Sequence, residues 1–310
     1  MVNEGKARTA WTELPGELVA TVEGLLGGAV VAATSQTEGF SPGSADRVVT
    51  QQGRRAFVKA VHRERNSGTY ELHRREIDVM RLLPDGVRAP TLLGSFVTDD
   101  WAALILDDVE GHHPGATTDA SDVPAVLDAF ASFPRLGSEA RAGLPSASEE
   151  FVAERDSWAA LDADGVEVSE WAQRVRPRLR AAGERVTEVV GGEFLQHLDG
   201  RADNVLIDRA GGAWVIDWPW AGYGARWVDG LLYLLDARFR GEPVDAERLL
   251  RTHPLFAGVA AADVDSVLAG VSGRFLDKAR LPAPPNMPTV REFQRQQGVA
   301  GLAWLQARWG

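Results

Sequence analysis

Four polar side chains stand at intervals that suit one reaction. His197, Asp199 and Asn204 share the loop within Phe194-Leu-Gln-His-Leu-Asp-Gly-Arg-Ala-Asp-Asn-Val-Leu-Ile207, and Asp217 closes the apolar run Trp214-Val-Ile-Asp-Trp218, thirteen residues after Asn204. A carboxylate beside an acceptor hydroxyl can take its proton, while an amide and a second carboxylate can hold Mg²⁺ against nucleotide phosphates. That is the set phosphoryl transfer from ATP requires. Taken singly, these residues have plainer uses. An Asp in a Gly-containing loop forms turns, and a loop His more often shapes its loop through backbone hydrogen bonds, the role assigned here to His197. An acid embedded among Val215, Ile216 and Trp218 is costly unless it is paired or metal-bound. The hairpin expected between Asn204 and Asp217 brings a residue before its first strand beside one after its second.

The elements that must position these groups can be read along the chain. Leu18, Val19, Val22, Leu25 and Leu26 have helical spacing, ended by Gly27-Gly28. Short strands are expected over Val30–Thr34, Arg47–Thr50 and Ala56–Val61, then a helix over Thr69–Leu83, then strands over Thr91–Val97 and Trp101–Asp107. From Asp122 onward the pattern is helical, over 122–134, 148–162, 167–190, 227–239, 244–252, 261–278 and 289–308. Its only strand-like pieces are Val205–Ile207 and Ala213–Ile216, and Pro282-Ala-Pro-Pro285 separates the last two helices. Lys59 is one of three lysines in a chain whose other basic residues are arginine, and it lies in the strand Ala56-Phe-Val-Lys-Ala-Val61, opposite in facing to Val58 and Ala60.

The order His-x-Asp-x-x-x-x-Asn with the later acid resembles the aminoglycoside phosphotransferase family, the small-molecule branch of the kinase-like fold. The resemblance spans roughly residues 30–235 and is tightest over Gln196–Trp220. It implies an α+β, bilobal protein-kinase-like fold with a small antiparallel-sheet N-lobe and a mainly helical C-lobe. The expected division is 1–106 for the nucleotide-binding lobe, 107–111 for the hinge and 112–310 for the helical lobe. It further implies ATP and Mg²⁺ as cofactors, Asp199 as catalytic base, Asn204 and Asp217 as metal ligands, and Lys59 on the phosphates. Glu76 is expected to fix the lysine, in preference to Glu71. Ser41 and Ser44, in the loop between the first two strands, are expected near the phosphates, and adenine is expected on the Asp107 carbonyl and the Val109 amide. Asp229 resembles the family's structural acid, and an Asp at a helix start also suits capping.

The chain departs from the family's usual His-Gly-Asp-Leu: Leu198 and Gly200 are exchanged, which alters loop packing but spares every polar residue the chemistry uses. Protein kinases carry Arg where Leu198 stands. Only eleven residues separate Asp217 from Asp229, too few for a protein kinase's activation segment. Both points favour a small-molecule acceptor, with an aminoglycoside or related amino sugar implied by the resemblance. The alternatives are a housekeeping kinase for choline, homoserine, a sugar or a macrolide, and a pseudokinase-like nucleotide-binding protein without catalysis.

Composition narrows the field further. The net charge of −11 argues against a nucleic-acid partner and is compatible with a cationic acceptor. Glu149, Glu150, Glu154 and Asp156 are acidic candidates for it, although charges on a helix are usually a solvated face. Trp218 is expected in the core, with Trp220 free to stack on a ring or to join it. The absence of cysteine excludes disulfides and thiolate metal sites. No membrane-length apolar run or secretory leader is visible, so a cytoplasmic location is the default expectation.

Overall fold

The computed structural model describes residues 8–36, 42–116 and 122–310, which form two compact units. The first takes in the described residues up to His113 together with Val205–Trp220 and Ala283–Thr289. The second takes in those of 114–204 together with Ala221–Pro282 and Val290–Gly310. A cut at one hinge does not express this division, because two later segments return to the first unit. The architecture is mixed α and β, with a five-stranded antiparallel sheet in the first unit and helices dominating the second.

The first unit opens with α1 (Gly16–Leu26), β1 (Val30–Ser35), β2 (Ser44–Thr50) and β3 (Arg55–His62). It continues through α2 (Ser67–Leu82), β4 (Leu92–Val97) and β5 (Trp101–Leu106). The sheet runs in the order β1-β2-β3-β5-β4. Leu18, Val22 and Leu26 recur every fourth residue and put one apolar stripe on α1. That stripe is buried against Val48, Ala56, Val58, Ala60, Ala103 and Ile105. Alternation then leaves Phe57, Lys59 and Val61 for the opposite face, where Val61 packs with Tyr70 of α2 and Ala102. The same alternation aims Lys59 at the α2 side. Gly27, at φ 68°, ends α1 in the left-handed conformation.

Strand β2 starts three residues before the expected Arg47, because the polar Ser44 and Asp46 satisfy one another within the sheet. Helix α2 is capped by Asn66, whose side chain accepts from the Thr69 amide at 2.8 Å and donates to the Pro285 carbonyl at 2.8 Å. Asn286 in turn donates to the Arg65 carbonyl at 2.8 Å. The proline-rich stretch between the last two helices is therefore the tie that holds the start of α2.

The second unit contains α3 (Asp122–Ala131), α4 (Ser138–Ala142), α5 (Ala147–Glu150), α6 (Val152–Ala163), α7 (Glu170–Arg174), α8 (Arg176–Glu184) and α9 (Val186–Val189). The single helix expected over 167–190 is interrupted at Val175 and Arg185. Pro177 near the start of α8 cannot supply an amide to the preceding turn, which accounts for the first break. Strand β6 (Phe194–Gln196) follows, then β7 (Val205–Ile207) and β8 (Ala213–Val215), a hairpin assigned to the first unit. Strand β9 (Gly222–Gly224) pairs with β6, an arrangement three-residue pieces give no periodicity to reveal. The chain ends in α10 (Val228–Phe239), α11 (Ala246–Thr252), α12 (Ala261–Ala279) and α13 (Val290–Trp309). Helix α12 is the hub of this unit, burying Val264, Val267, Leu268 and Val271, and its Ala269 carbonyl accepts from the indole of the fully buried Trp158 at 2.8 Å.

Leu18 is fully buried beneath the sheet, so Leu18→Ala should cost about 2–5 kcal/mol of stability. Urea unfolding should show a lower midpoint with an unchanged slope.

Candidate functional site

In the first unit the Lys59 ammonium is held by three carboxylate oxygens. It lies 2.9 and 3.0 Å from the two oxygens of Glu76 and 2.6 Å from Oδ1 of Asp217. Burial alone would lower the lysine pKa, but Asp217 and Glu76 outweigh it and hold the ammonium above its ordinary value. Glu76 is almost fully buried and also accepts from the Trp218 amide at 3.2 Å. Glu71 instead faces solvent, beside Arg74 and Arg63. Asp217 adopts φ 66°, a conformation rare outside glycine, and its side chain is 45% exposed. A non-glycine residue held there turns the carboxylate out of the apolar run that precedes it. Trp218 is fully buried, with its indole on the Val215 carbonyl at 2.9 Å. Trp220 is half-exposed, under the Arg75 guanidinium.

The segment after β5 is pinned by charge. Asp108 pairs with Arg47 and Arg55, Glu110 pairs with Arg55, and Arg47 donates to the Val109 carbonyl at 3.3 Å. The Asp107 amide donates to the Thr91 carbonyl at 3.0 Å. These bonds fix the backbone on which the Asp107 carbonyl and the Val109 amide lie. Ser41 falls outside the described residues. Ser44, expected near the phosphates, is buried with its hydroxyl donating to Asp46, a carboxylate that also accepts from Ser35. Its place on the inward face of β2 follows from strand alternation, which the loop reading of this stretch did not include.

In the second unit the loop after β6 carries Asp199 and Asn204. The Asn204 side-chain amide donates to the Asp199 carbonyl at 2.9 Å and to its carboxylate at 2.8 Å. Both partners are acceptors only, so the amide nitrogen must face them, leaving Asn204 Oδ1 as the atom offered to a cation. Oxygen from one amide and one carboxylate is a donor set that suits Mg²⁺. Among the described residues no cluster of three or more His, Cys, Asp or Glu side chains could hold a metal ion. Arg201 lies 3.4 Å from the Asp199 carboxylate and pairs with Asp203 at 2.9 Å.

Asp229 at the start of α10 accepts the amides of His197 and Leu198, each at 2.7 Å. Burial lifts its carboxyl to about 6, against the pull of His197 and of the two amides. Asp229 thus braces the loop rather than capping its own helix. The exchange of Leu and Gly now has a steric account. Leu198 sits at φ 61°, while a Cβ on Gly200 would come within 2.5 Å of the Asp229 carbonyl oxygen. The close approach belongs to 200 and the left-handed turn to 198, and this sequence spends its glycine on the approach.

A second brace was missed. Asp236, also buried, accepts from the Ala202 amide at 3.0 Å, from Arg240 at 3.0 Å and from Gln297 at 3.0 Å. It follows Asp229 by seven residues, two helical turns along the same face of α10, and that interval was the available signal. Of the acidic candidates for an acceptor, Glu149 forms a capping box with Ser146 and Asp156 pairs with Arg155. Glu154 keeps a raised carboxyl pKa through burial.

The sequence model of the phosphotransferase enzyme family matches residues 37–261, and the chain belongs to that family. No curated protein matches it. Among solved structures, choline kinase LicA from Streptococcus pneumoniae is 14% identical, with 93% of this chain and 98% of that one covered and a TM-score of 0.62. An aminoglycoside phosphotransferase from Alicyclobacillus acidocaldarius is 17% identical, covering 95% and 96%, with a TM-score of 0.55. A thermostable variant of aminoglycoside phosphotransferase APH(4)-Ia, in complex with ADP and hygromycin B, is 16% identical, covering 94% and 97%, with a TM-score of 0.57. The fold is accordingly kinase-like. Among the described residues no helix is long and apolar enough to cross a membrane.

His73, on α2 and fully enclosed, is pushed down to about 4, by burial first and then by Lys59. The folded chain thus refuses a proton that the unfolded chain accepts below the ordinary value of 6.5. Its contribution is most favourable above 6.5 and is lost as pH falls towards about 4, amounting to roughly 3 kcal/mol at most. Replacing His73 with Leu should therefore flatten the acid limb of a melting-temperature profile across that window. An unchanged limb would exclude His73 as its source.

Proposed function

We propose that this phosphotransferase moves the γ-phosphoryl group of ATP, with Mg²⁺, to a hydroxyl of a small cationic molecule, with an aminoglycoside or related amino sugar as the leading class. The observation that carries the reading is the Lys59 ammonium held by Glu76 and Asp217. A structural ion pair would need one carboxylate, whereas this lysine has two, one of them half-exposed.

The division of labour follows from the side chains. Lys59, oriented by Glu76, contacts the nucleotide phosphates. Asn204 and Asp217 would hold Mg²⁺, which when bound would neutralise charge on the phosphates. Asp199 orients the acceptor hydroxyl and takes its proton as the oxygen bonds to phosphorus. Asn204 keeps Asp199 in place through two hydrogen bonds, one to its carbonyl and one to its carboxylate. The pinned backbone at Asp107 and Val109 receives adenine. Only eleven residues separate Asp217 from Asp229, which leaves no room for a long regulatory segment.

The net charge of −11 is compatible with a cationic acceptor. A second reading, an amino alcohol such as choline, is favoured by the likeness to choline kinase LicA. Both acceptors pair a hydroxyl with a positive nitrogen. An acceptor panel of aminoglycosides, amino sugars and amino alcohols, read by acceptor-dependent ADP release, separates them. No release with any member would remove the kinase reading.

Asp199→Asn should lower turnover by on the order of 10²–10⁴-fold, with nucleotide affinity within a few-fold of wild type. Lys59→Met should weaken nucleotide binding as well, which calorimetry with a non-hydrolysable ATP analogue would register. Full turnover in Asp199→Asn would remove that residue from the mechanism.

A further inference from the structure

We propose that Asp236 and Gln297 are positioning residues that set the geometry of the Asp199–Asn204 loop from the C-terminal helix α13. The inference rests on the phosphotransfer reading for its kinetic consequence, but its structural content stands on contacts within the second unit alone.

The loop has six residues from Asp199 to Asn204, and its two functional side chains stand at its ends. Asp229 secures the approach to it, through the amides of His197 and Leu198. Nothing in that brace restrains the middle. Asp236 does so, because its Oδ2 accepts the Ala202 amide two residues before Asn204. A carboxylate can hold an amide in one place only if its own orientation is fixed. Arg240 supplies one fix, donating to the same oxygen from one turn later, just past the end of α10. Gln297 supplies the other, donating to Oδ1 from α13.

The hub reaches further than these bonds. Arg240 also donates to the Pro114 carbonyl at 2.9 Å, so the chain entering this unit is tied to the same carboxylate. Helix α13 approaches the loop a second time through Phe293, which lies under the Arg201 guanidinium and packs edge-to-face on Phe239. Gln297 is almost fully buried, as is Asp236. A buried carboxylate that loses a donor reorients or draws in water, because the desolvated charge must find another partner. The Ala202 amide would then lose its fixed acceptor, and the spacing between Asp199 and Asn204 would widen its distribution. Gln297 carries out no chemistry, so its effect passes through Asp236 to the loop.

The test is hydrogen exchange of the full chain, comparing wild type with Gln297→Leu and Asp236→Asn, each first confirmed folded by its melting transition. Peptides spanning 199–204 should exchange at least about tenfold faster in both variants, while peptides from β3 and α2 keep wild-type rates. With an acceptor found by the panel, kcat should fall about tenfold in Gln297→Leu with the KM for ATP within twofold, since the direct nucleotide contacts, Lys59 and the backbone at Asp107 and Val109, lie elsewhere. A role confined to general stability would lower the melting temperature without that split. Unchanged exchange over 199–204 in a folded Gln297→Leu protein would overturn the proposal. If wild type transferred phosphoryl to no acceptor, the kinase reading would fall, and the exchange rates alone would decide the brace.

Discussion

An ammonium ion removed from water must be met by opposite charge, and Lys59 meets this demand with Glu76 and Asp217. The three side chains come from a strand, a helix and the end of a hairpin, separated by 17 and 158 residues from the lysine. Their convergence determines much of the first unit. Strand alternation must turn Lys59 to the α2 side, α2 must present Glu76 inward, and the backbone at Asp217 must reverse. Breaking any one of these leaves a buried charge without its partner, which costs more than the pair contributes. The ion cluster therefore dictates where elements go more than it stabilises them.

The loop in the second unit solves a different problem, since its groups are neutral amides and carboxylates that must be held at fixed spacing. Two buried acids on one face of α10 do this by accepting backbone amides, Asp229 at the entrance and Asp236 at the middle. Leu198 and Asp217, at φ 61° and 66°, carry left-handed backbone on either side of the β7–β8 hairpin. Such residues persist only where surrounding bonds outweigh the local strain. At Leu198 those bonds are visible, because its amide is one of the two that Asp229 accepts. The strain and the brace are parts of a single arrangement.

Most of the first unit was legible in the sequence because its elements are long enough to show a period. The α1 stripe, the alternation in β3 and the α2 helix each follow from spacing that elementary packing requires. Lys59 stood out as a strand lysine in an arginine-rich chain, and its pairing with Glu76 followed from the resemblance, which implies a glutamate on the next helix. The start of β2 was hidden because Ser44 and Asp46 are polar, and polar residues inside a strand look like a turn until their partners are known. The β6–β9 pair was hidden by length, whereas the interruption at Val175 had a visible signal in Pro177, two positions beyond it. Asp236 escaped because its partners in the loop and on α13 lie 34 and 61 residues away, and the seven-residue interval from Asp229 was its one local trace.

The return of residues 283–289 to the start of α2 has a consequence for biosynthesis. Asn66 and Arg65 find their partners 219 and 221 residues further along the chain. A nascent polypeptide could lay down the five-stranded sheet early, yet the Asn66 cap of α2 would stay unanchored until residues 285 and 286 had left the ribosome. Vectorial folding, domain by domain from the N-terminus, is thus incomplete by construction. A nonsense codon before residue 285 would remove the clasp of an element formed far upstream.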